Sequence, residues 1–120
     1  MIPTRARRVL LVDDNEMAAE LLAEFLALSD IEVQIAGTGA DALERSAAFE
    51  PDAIILDILL PDTNGYDLAA RLRAQHPRAP RLIALSGLPR GQHGGDASVF
   101  DGWVEKPADP DALTALLLND

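Results

Sequence analysis

The chain lacks cysteine entirely, so it can carry no disulfide, no thiolate nucleophile and no cysteine-ligated metal. It also lacks any apolar run approaching the length of a membrane span. Arg5, Arg7 and Arg8 precede the first short strand-like run with no apolar segment before it. That is not a signal peptide, and the expected location is cytoplasmic. Basic residues are scarce: ten Lys and Arg face twenty Asp and Glu, for a formal net charge of -10. A field of that sign repels nucleic acid and anionic membrane and attracts cations, so neither DNA nor a bilayer is an expected direct partner. Internal repeats, low-complexity tracts and linkers are absent too. What remains is 48% hydrophobic and 25% charged, the balance of a soluble globular chain. Its 120 residues suffice for one domain with a real core and are too few for two.

Three short runs are wholly apolar: Val9-Leu10-Leu11-Val12, Ala53-Ile54-Ile55-Leu56 and Leu82-Ile83-Ala84-Leu85. Each ends at a small polar or acidic residue, and each reads as a strand buried on both faces. Ile31-Glu32-Val33-Gln34-Ile35 alternates apolar with polar, as a half-exposed edge strand does. Trp103-Val104-Glu105 is the candidate for the opposite edge. Between the strands lie segments with helical spacing. Met17, Leu21, Phe25 and Leu28 mark one apolar face, with Glu16, Glu20 and Glu24 on another; Leu68 and Leu72 repeat the pattern. Residues 40–49 form an Ala-rich helix ending before Pro51, and Asp109-Pro110-Asp111 opens a last helix with a cap and a Pro in its first turn.

Strand and helix thus alternate throughout, which predicts an α/β fold with a parallel sheet and helices on both faces. Two edge strands around three buried ones fit the flavodoxin-like doubly wound order 2-1-3-4-5. In such sheets ligands bind beyond the carboxyl ends of the strands, where the order reverses between the first and third. Asp13 and Asp14 follow the first strand and Asp57 ends the third. Three carboxylates at one corner are electrostatically costly without a cation, and an oxygen-only ligand set suits a hard ion, Mg²⁺ above all. Ser86 ends the fourth strand and Lys106 follows the fifth, adding a hydroxyl donor and a fixed cation at the same edge.

The motifs Val12-Asp13-Asp14-Asn15, Asp57-Ile58-Leu59-Leu60-Pro61-Asp62-Thr63-Asn64-Gly65, Ala84-Leu85-Ser86-Gly87 and Val104-Glu105-Lys106-Pro107 appear in that order. In them the chain resembles the receiver domain of two-component response regulators, the chemotaxis-regulator type included. The resemblance spans about residues 7–118, so that 1–120 is expected to be a single receiver domain. It implies that Asp57 is the phosphoacceptor, that Asp14, Asp57 and the backbone carbonyl of Leu59 bind Mg²⁺ with Asp13 helping through water, and that Lys106 and Ser86 contact the phosphoryl group. It implies a phosphoprotein of a two-component or phosphorelay pathway, charged by a histidine kinase or a histidine phosphotransfer protein and changing its affinity for a downstream protein. Such a signal-transduction switch catalyses its own phosphorylation and dephosphorylation and is not an enzyme in the ordinary sense. In the family an aromatic residue, usually Tyr or Phe, lies three positions before the Lys and rearranges with the loop after the fourth strand. Here it is Trp103, whose other reading is an edge aromatic covering the core, and whose larger ring is expected to fit the inward position poorly.

Other features carry less. Gly37-Thr38-Gly39-Ala40-Asp41-Ala42 matches a loose dinucleotide-binding pattern, but it follows the edge strand, and Thr38 or Gly39 is more simply the turn and cap of the next helix. His76 and His93 have no helix-spaced ligand partner and read as solvated surface residues. Gly87 to Asp96 contains Pro89 and four glycines, which disfavour a stable helix there, so a remodelled or mobile surface is expected. A Mg²⁺-dependent phosphatase with an Asp nucleophile is a competing class, disfavoured because Leu59 stands where a second Asp would be. A phosphorylation-independent interaction module of receiver fold is the other alternative. No output domain is expected after the last helix, and the run from Asp101 through Trp103 and Lys106 to Leu113 looks most like receivers of hybrid histidine kinases. A stand-alone receiver and a piece of a hybrid kinase or longer regulator both fit.

Overall fold

The computed structural model describes residues 7–76, 80–87 and 97–118. Among these residues there are five strands, β1 (Arg8–Val12), β2 (Glu32–Ala36), β3 (Ala53–Asp57), β4 (Arg81–Ser86) and β5 (Gly102–Glu105), and four α-helices, α1 (Glu16–Ala27), α2 (Gly39–Phe49), α3 (Gly65–Gln75) and α4 (Pro110–Leu118). A short 3-10 turn, Ala97–Val99, precedes β5. All neighbouring strands are parallel, in the order β2-β1-β3-β4-β5. That is the order expected from the two edge readings. Among the described residues no helix is long and apolar enough to cross a membrane.

Because successive side chains of a strand point to opposite faces, the apolar runs of β1, β3 and β4 feed two cores at once. Leu10, Val12, Ile54, Leu56, Leu82 and Ala84 face Ala42 of α2 and Leu68, Ala69 and Leu72 of α3. Val9, Leu11, Ala53, Ile55, Ile83 and Leu85 face Ala19 and Leu26 of α1 and Leu113 and Leu117 of α4. Each large side chain so buried contributes on the order of 2 kcal/mol. Local signals set the helix starts. Asn15, Thr38 and Asn64 accept hydrogen bonds from the amides of Ala18, Asp41 and Asp67, capping α1, α2 and α3. Asp109 Oδ1 accepts from the amide of Asp111 at the start of α4, as its sequence position suggests.

The phase of α1 departs from expectation. Met17, Leu21 and Leu28 are 75%, 68% and 82% exposed, and Phe25 is only half-buried. The helix instead turns Ala19 and Leu26 to the sheet, with Leu22 packed alongside. The segment Glu-Met-Ala-Ala-Glu-Leu-Leu-Ala-Glu-Phe-Leu-Ala is apolar on two faces. The small Ala19 allows the backbone close to the sheet, whereas the Met17 stripe would hold it away. His76 is a second departure: it ends α3 half-buried, and its Nε2 is inaccessible with no partner among the described residues. The stretch from Leu88 to Asp96, with His93 and the expected mobile surface, lies outside the described residues.

Candidate functional site

Parallel pairing puts the carboxyl ends of β1, β3, β4 and β5 on one edge, and there the sheet gathers Asp13, Asp14, Asp57, Ser86 and Lys106. One carboxylate oxygen from each of Asp13, Asp14 and Asp57 lies within 4.8 Å of the others. Lys106 Nζ donates to Asp57 Oδ2 at 2.7 Å. The Lys106 amide donates to the Ser86 carbonyl at 2.6 Å, extending the β4–β5 ladder by one bond and fixing the lysine stem over the site. Asp57 Oδ1 accepts from the Leu59 amide at 3.2 Å, and Asp13 Oδ1 from the Asn15 amide at 3.0 Å. Asp13, Asp57 and Ser86 are buried, while Asp14 is exposed.

Burial raises the Asp13 carboxyl above its ordinary pKa; the Asn15 amide and Lys106 oppose this, and Asp57 and Asp14 reinforce it. For Lys106 burial works against the charge, yet the hydrogen bond and charge of Asp57, with Asp13 and Asp14, outweigh it and hold the ammonium above its usual value. One ammonium against three carboxylates leaves two negative charges uncompensated. Their donors are all oxygens and one of them opens to solvent, which fits a divalent hard cation. Ligand oxygens of an octahedral Mg²⁺ stand roughly 3–4 Å apart, so the cluster needs only a small inward shift.

The raised pKa of Asp13 has a consequence for stability. Folding favours the protonated carboxyl, so its stabilising contribution is present below 3.8 and is lost as pH rises through the higher folded value. Near neutral pH the buried charge therefore costs stability when no cation is bound. Asp13→Asn keeps an acceptor for the Asn15 amide and is expected to raise the melting temperature in chelator by roughly 2–5 °C. Scanning calorimetry checks this. The gain should shrink toward acid pH and disappear in saturating Mg²⁺, and an equal gain under all conditions would contradict it.

The loop between β3 and α3 carries a residue whose role the sequence did not announce. Asp62 accepts hydrogen bonds from the amides of Gly39 at 2.8 Å and Ala40 at 3.1 Å, the first turn of α2. These amides hold the Asp62 carboxyl below its ordinary pKa. The N-terminus of α2 is thus filled by the protein's own carboxylate together with the Thr38 cap, and the glycine pattern there is a helix start with no room for a nucleotide phosphate. Only a long-range juxtaposition of residues 23 apart reveals this. Trp103 lies half-buried on the α3 side, 5.8 Å from the ring of Phe100 and 6.4 Å from that of Tyr66, covering the core beside the site. Leu59, two positions beyond Asp57, is 69% exposed.

Residues 9–118 match the response regulator receiver domain family. The chain is 33% identical over 117 residues to the sensor histidine kinase AtsR of Burkholderia thailandensis, covering 94% of this chain and 19% of that relative's length. A response regulator receiver domain (CheY-like) from Methylobacillus flagellatus superposes with a TM-score of 0.84 at 32% identity, over 92% of this chain and 95% of the other. A response regulator from Burkholderia pseudomallei, solved with a phosphorylated aspartic acid, calcium ion and citrate, superposes with a TM-score of 0.83 at 28% identity, over 94% of this chain and 66% of the other. With its sheet order, its acidic corner and its lysine in place, the chain belongs to the response regulator receiver domain family.

Proposed function

We propose that Asp57 accepts a phosphoryl group from a phosphohistidine donor in a Mg²⁺-dependent step, and that the modification switches the binding of a downstream protein. The observation that carries this reading is the pairing of Asp57 with Lys106 at 2.7 Å inside a cluster of three carboxylates. Such a corner holds a nucleophile, a fixed cation and an oxygen-rich seat for a second cation in one place. The phosphorylated aspartic acid and calcium ion of the Burkholderia pseudomallei relative support it.

In the step an Asp57 carboxylate oxygen attacks phosphorus, the bond from phosphorus to the donor imidazole breaks, and its electron pair leaves with the ring nitrogen, which is protonated from solvent. Lys106 stabilises charge on the transferring group. Asp13, Asp14, Asp57 and the Leu59 carbonyl would hold Mg²⁺, which when bound supplies neutralisation of an incoming anion that three carboxylates otherwise repel. Ser86, at the end of β4, then donates its hydroxyl to the phosphoryl group, with Trp103 on the neighbouring strand β5. The chain acts as a switch that catalyses its own modification. The exchange runs in the cytoplasm, where ATP charges phosphohistidine donors.

The test is the intact mass after incubation with acetyl phosphate and Mg²⁺, and separately with a phosphorylated histidine donor. A single phosphoryl adduct that chelator prevents is expected. No adduct from either donor would leave the phosphorylation-independent interaction module as the better reading.

Donor docking gives a further expectation. The exposed apolar stripe of α1 starts at Met17, three residues beyond Asp14, and continues through Leu21 to Leu28. Because α1 starts at Glu16, next to the acidic corner, this exposed stripe is the surface proposed to seat the donor. Met17→Asp combined with Leu21→Asp is expected to slow transfer from a histidine donor by on the order of tenfold while leaving labelling by acetyl phosphate unchanged. Equal loss with both donors would place the effect on the site itself.

A further inference from the structure

We infer that Asp62 is a positioning residue for the metal-binding half of the Asp57 site, acting by pinning the tip of the β3–α3 loop to the N-terminus of α2. The inference rests on the Mg²⁺-dependent reading proposed above. In that reading one ligand is the backbone carbonyl of Leu59, and a backbone ligand is only as well placed as its loop.

The base of the loop is tied by backbone bonds. The Ile58 amide donates to the Leu85 carbonyl at 3.3 Å, the Gly65 amide to the Ile58 carbonyl at 2.6 Å, and the Leu60 amide to the Thr63 carbonyl at 3.2 Å, with Leu59 bridged to Asn64 across the turn. The Leu59 side chain gives no anchorage, since it is mostly exposed. Pro61 and Asp62 at the tip are exposed as well. What ties the tip to the rest of the molecule is the Asp62 carboxylate on the Gly39 and Ala40 amides, at 2.8 and 3.1 Å. These are charge-assisted bonds aimed at the positive end of a helix of eleven residues. The Thr63 methyl closes against the same spot: a Cβ on Gly39 would stand 2.5 Å from it. Loop and helix therefore meet without a gap, and a displacement of the tip is transmitted along a tight turn to Leu59.

The experiment is a calorimetric titration of the full chain with MgCl₂, beside a thermal melt of each variant. Asp62→Ala is expected to weaken Mg²⁺ binding about tenfold. Asp62→Asn removes the same negative charge but keeps an acceptor oxygen, and is expected to restore affinity to within about threefold of the wild type. That rescue separates positioning from a through-space charge effect. Thr38→Ala deletes the side-chain cap on the Asp41 amide without touching the loop, and is expected to lower the melting temperature with Mg²⁺ affinity unchanged. The inference is overturned if Asp62→Ala binds Mg²⁺ like the wild type, if Asp62→Asn is as impaired as Asp62→Ala, or if Thr38→Ala loses affinity in step with its stability. A wild-type chain that binds no Mg²⁺ would overturn the underlying reading of the site and this inference with it, an outcome distinct from the other three.

Discussion

Replacing Asp57 by alanine is expected to abolish phosphoryl uptake, a fall of at least about a thousandfold that leaves no adduct in the intact mass with acetyl phosphate or with a histidine donor. In the proposed reaction this carboxylate is the nucleophile, and its two acidic neighbours are placed differently. Asp14 is turned to solvent. Among the described residues, Asp57 is the one carboxylate that Lys106 pairs with, at 2.7 Å. Asp57→Asn is the stricter form of the experiment. Its amide oxygen can still accept from the Leu59 amide, so the loop keeps its tie to β3, while the nucleophile is gone. Both variants should melt near the wild-type temperature, because the lost ion pair is offset by relief of repulsion among the carboxylates. An adduct of normal yield on either variant would move the acceptor to another residue and dismantle the proposed function.

Gly65→Ala is the second large effect, this time on stability. A Cβ at that position would stand 2.8 Å from the Ile58 Cα and 2.9 Å from the Asp57 carbonyl oxygen. Both are backbone atoms at the end of β3 that carries Asp57, so no rotamer change relieves the clash. The Gly65 amide is also committed to the Ile58 carbonyl at 2.6 Å, which prevents α3 from simply backing away. Overpacking of this kind costs about 3 kcal/mol, a fall of roughly 10 °C in melting temperature for a chain of this length. Gly37→Ala is the comparison, since nothing lies within 4 Å of a Cβ there and little change is expected. Thermal melts of the two variants side by side decide the matter. A Gly65→Ala chain as stable as the Gly37→Ala chain would mean that the β3–α3 junction yields far more readily than its packing indicates.

Much of this architecture was legible in the residues themselves. A strand stretch covered on both faces is apolar at every position, and residues 9–12 of β1, 53–56 of β3 and 82–85 of β4 are; a strand with one open side alternates, and Glu32-Val33-Gln34-Ile35 does. From those two patterns the strand order followed, and with it the meeting of Asp13, Asp14, Asp57, Ser86 and Lys106 at one edge. The inward face of α1 is not legible there, because periodicity tells which residues share a face but not which of two apolar faces turns inward. The role of Asp62 is hidden for a different reason. A lone Asp in a Pro-containing turn is ordinary, and its partners lie more than twenty residues away.

The sequence by itself therefore determined the fold class, the order of the strands and the membership of the acidic corner, because burial on two faces and the parallel winding of strand and helix are written in local composition. Tertiary structure alone decided that Ala19 and Leu26 rather than Met17 and Leu21 meet the sheet, that Asp13 is buried while its neighbour Asp14 is open, that Trp103 packs against Tyr66 and Phe100, and that Asp62 closes the end of α2. Each of these depends on how closely two elements approach, which is set by the fit of side chains across the contact and not by the order of residues along either element.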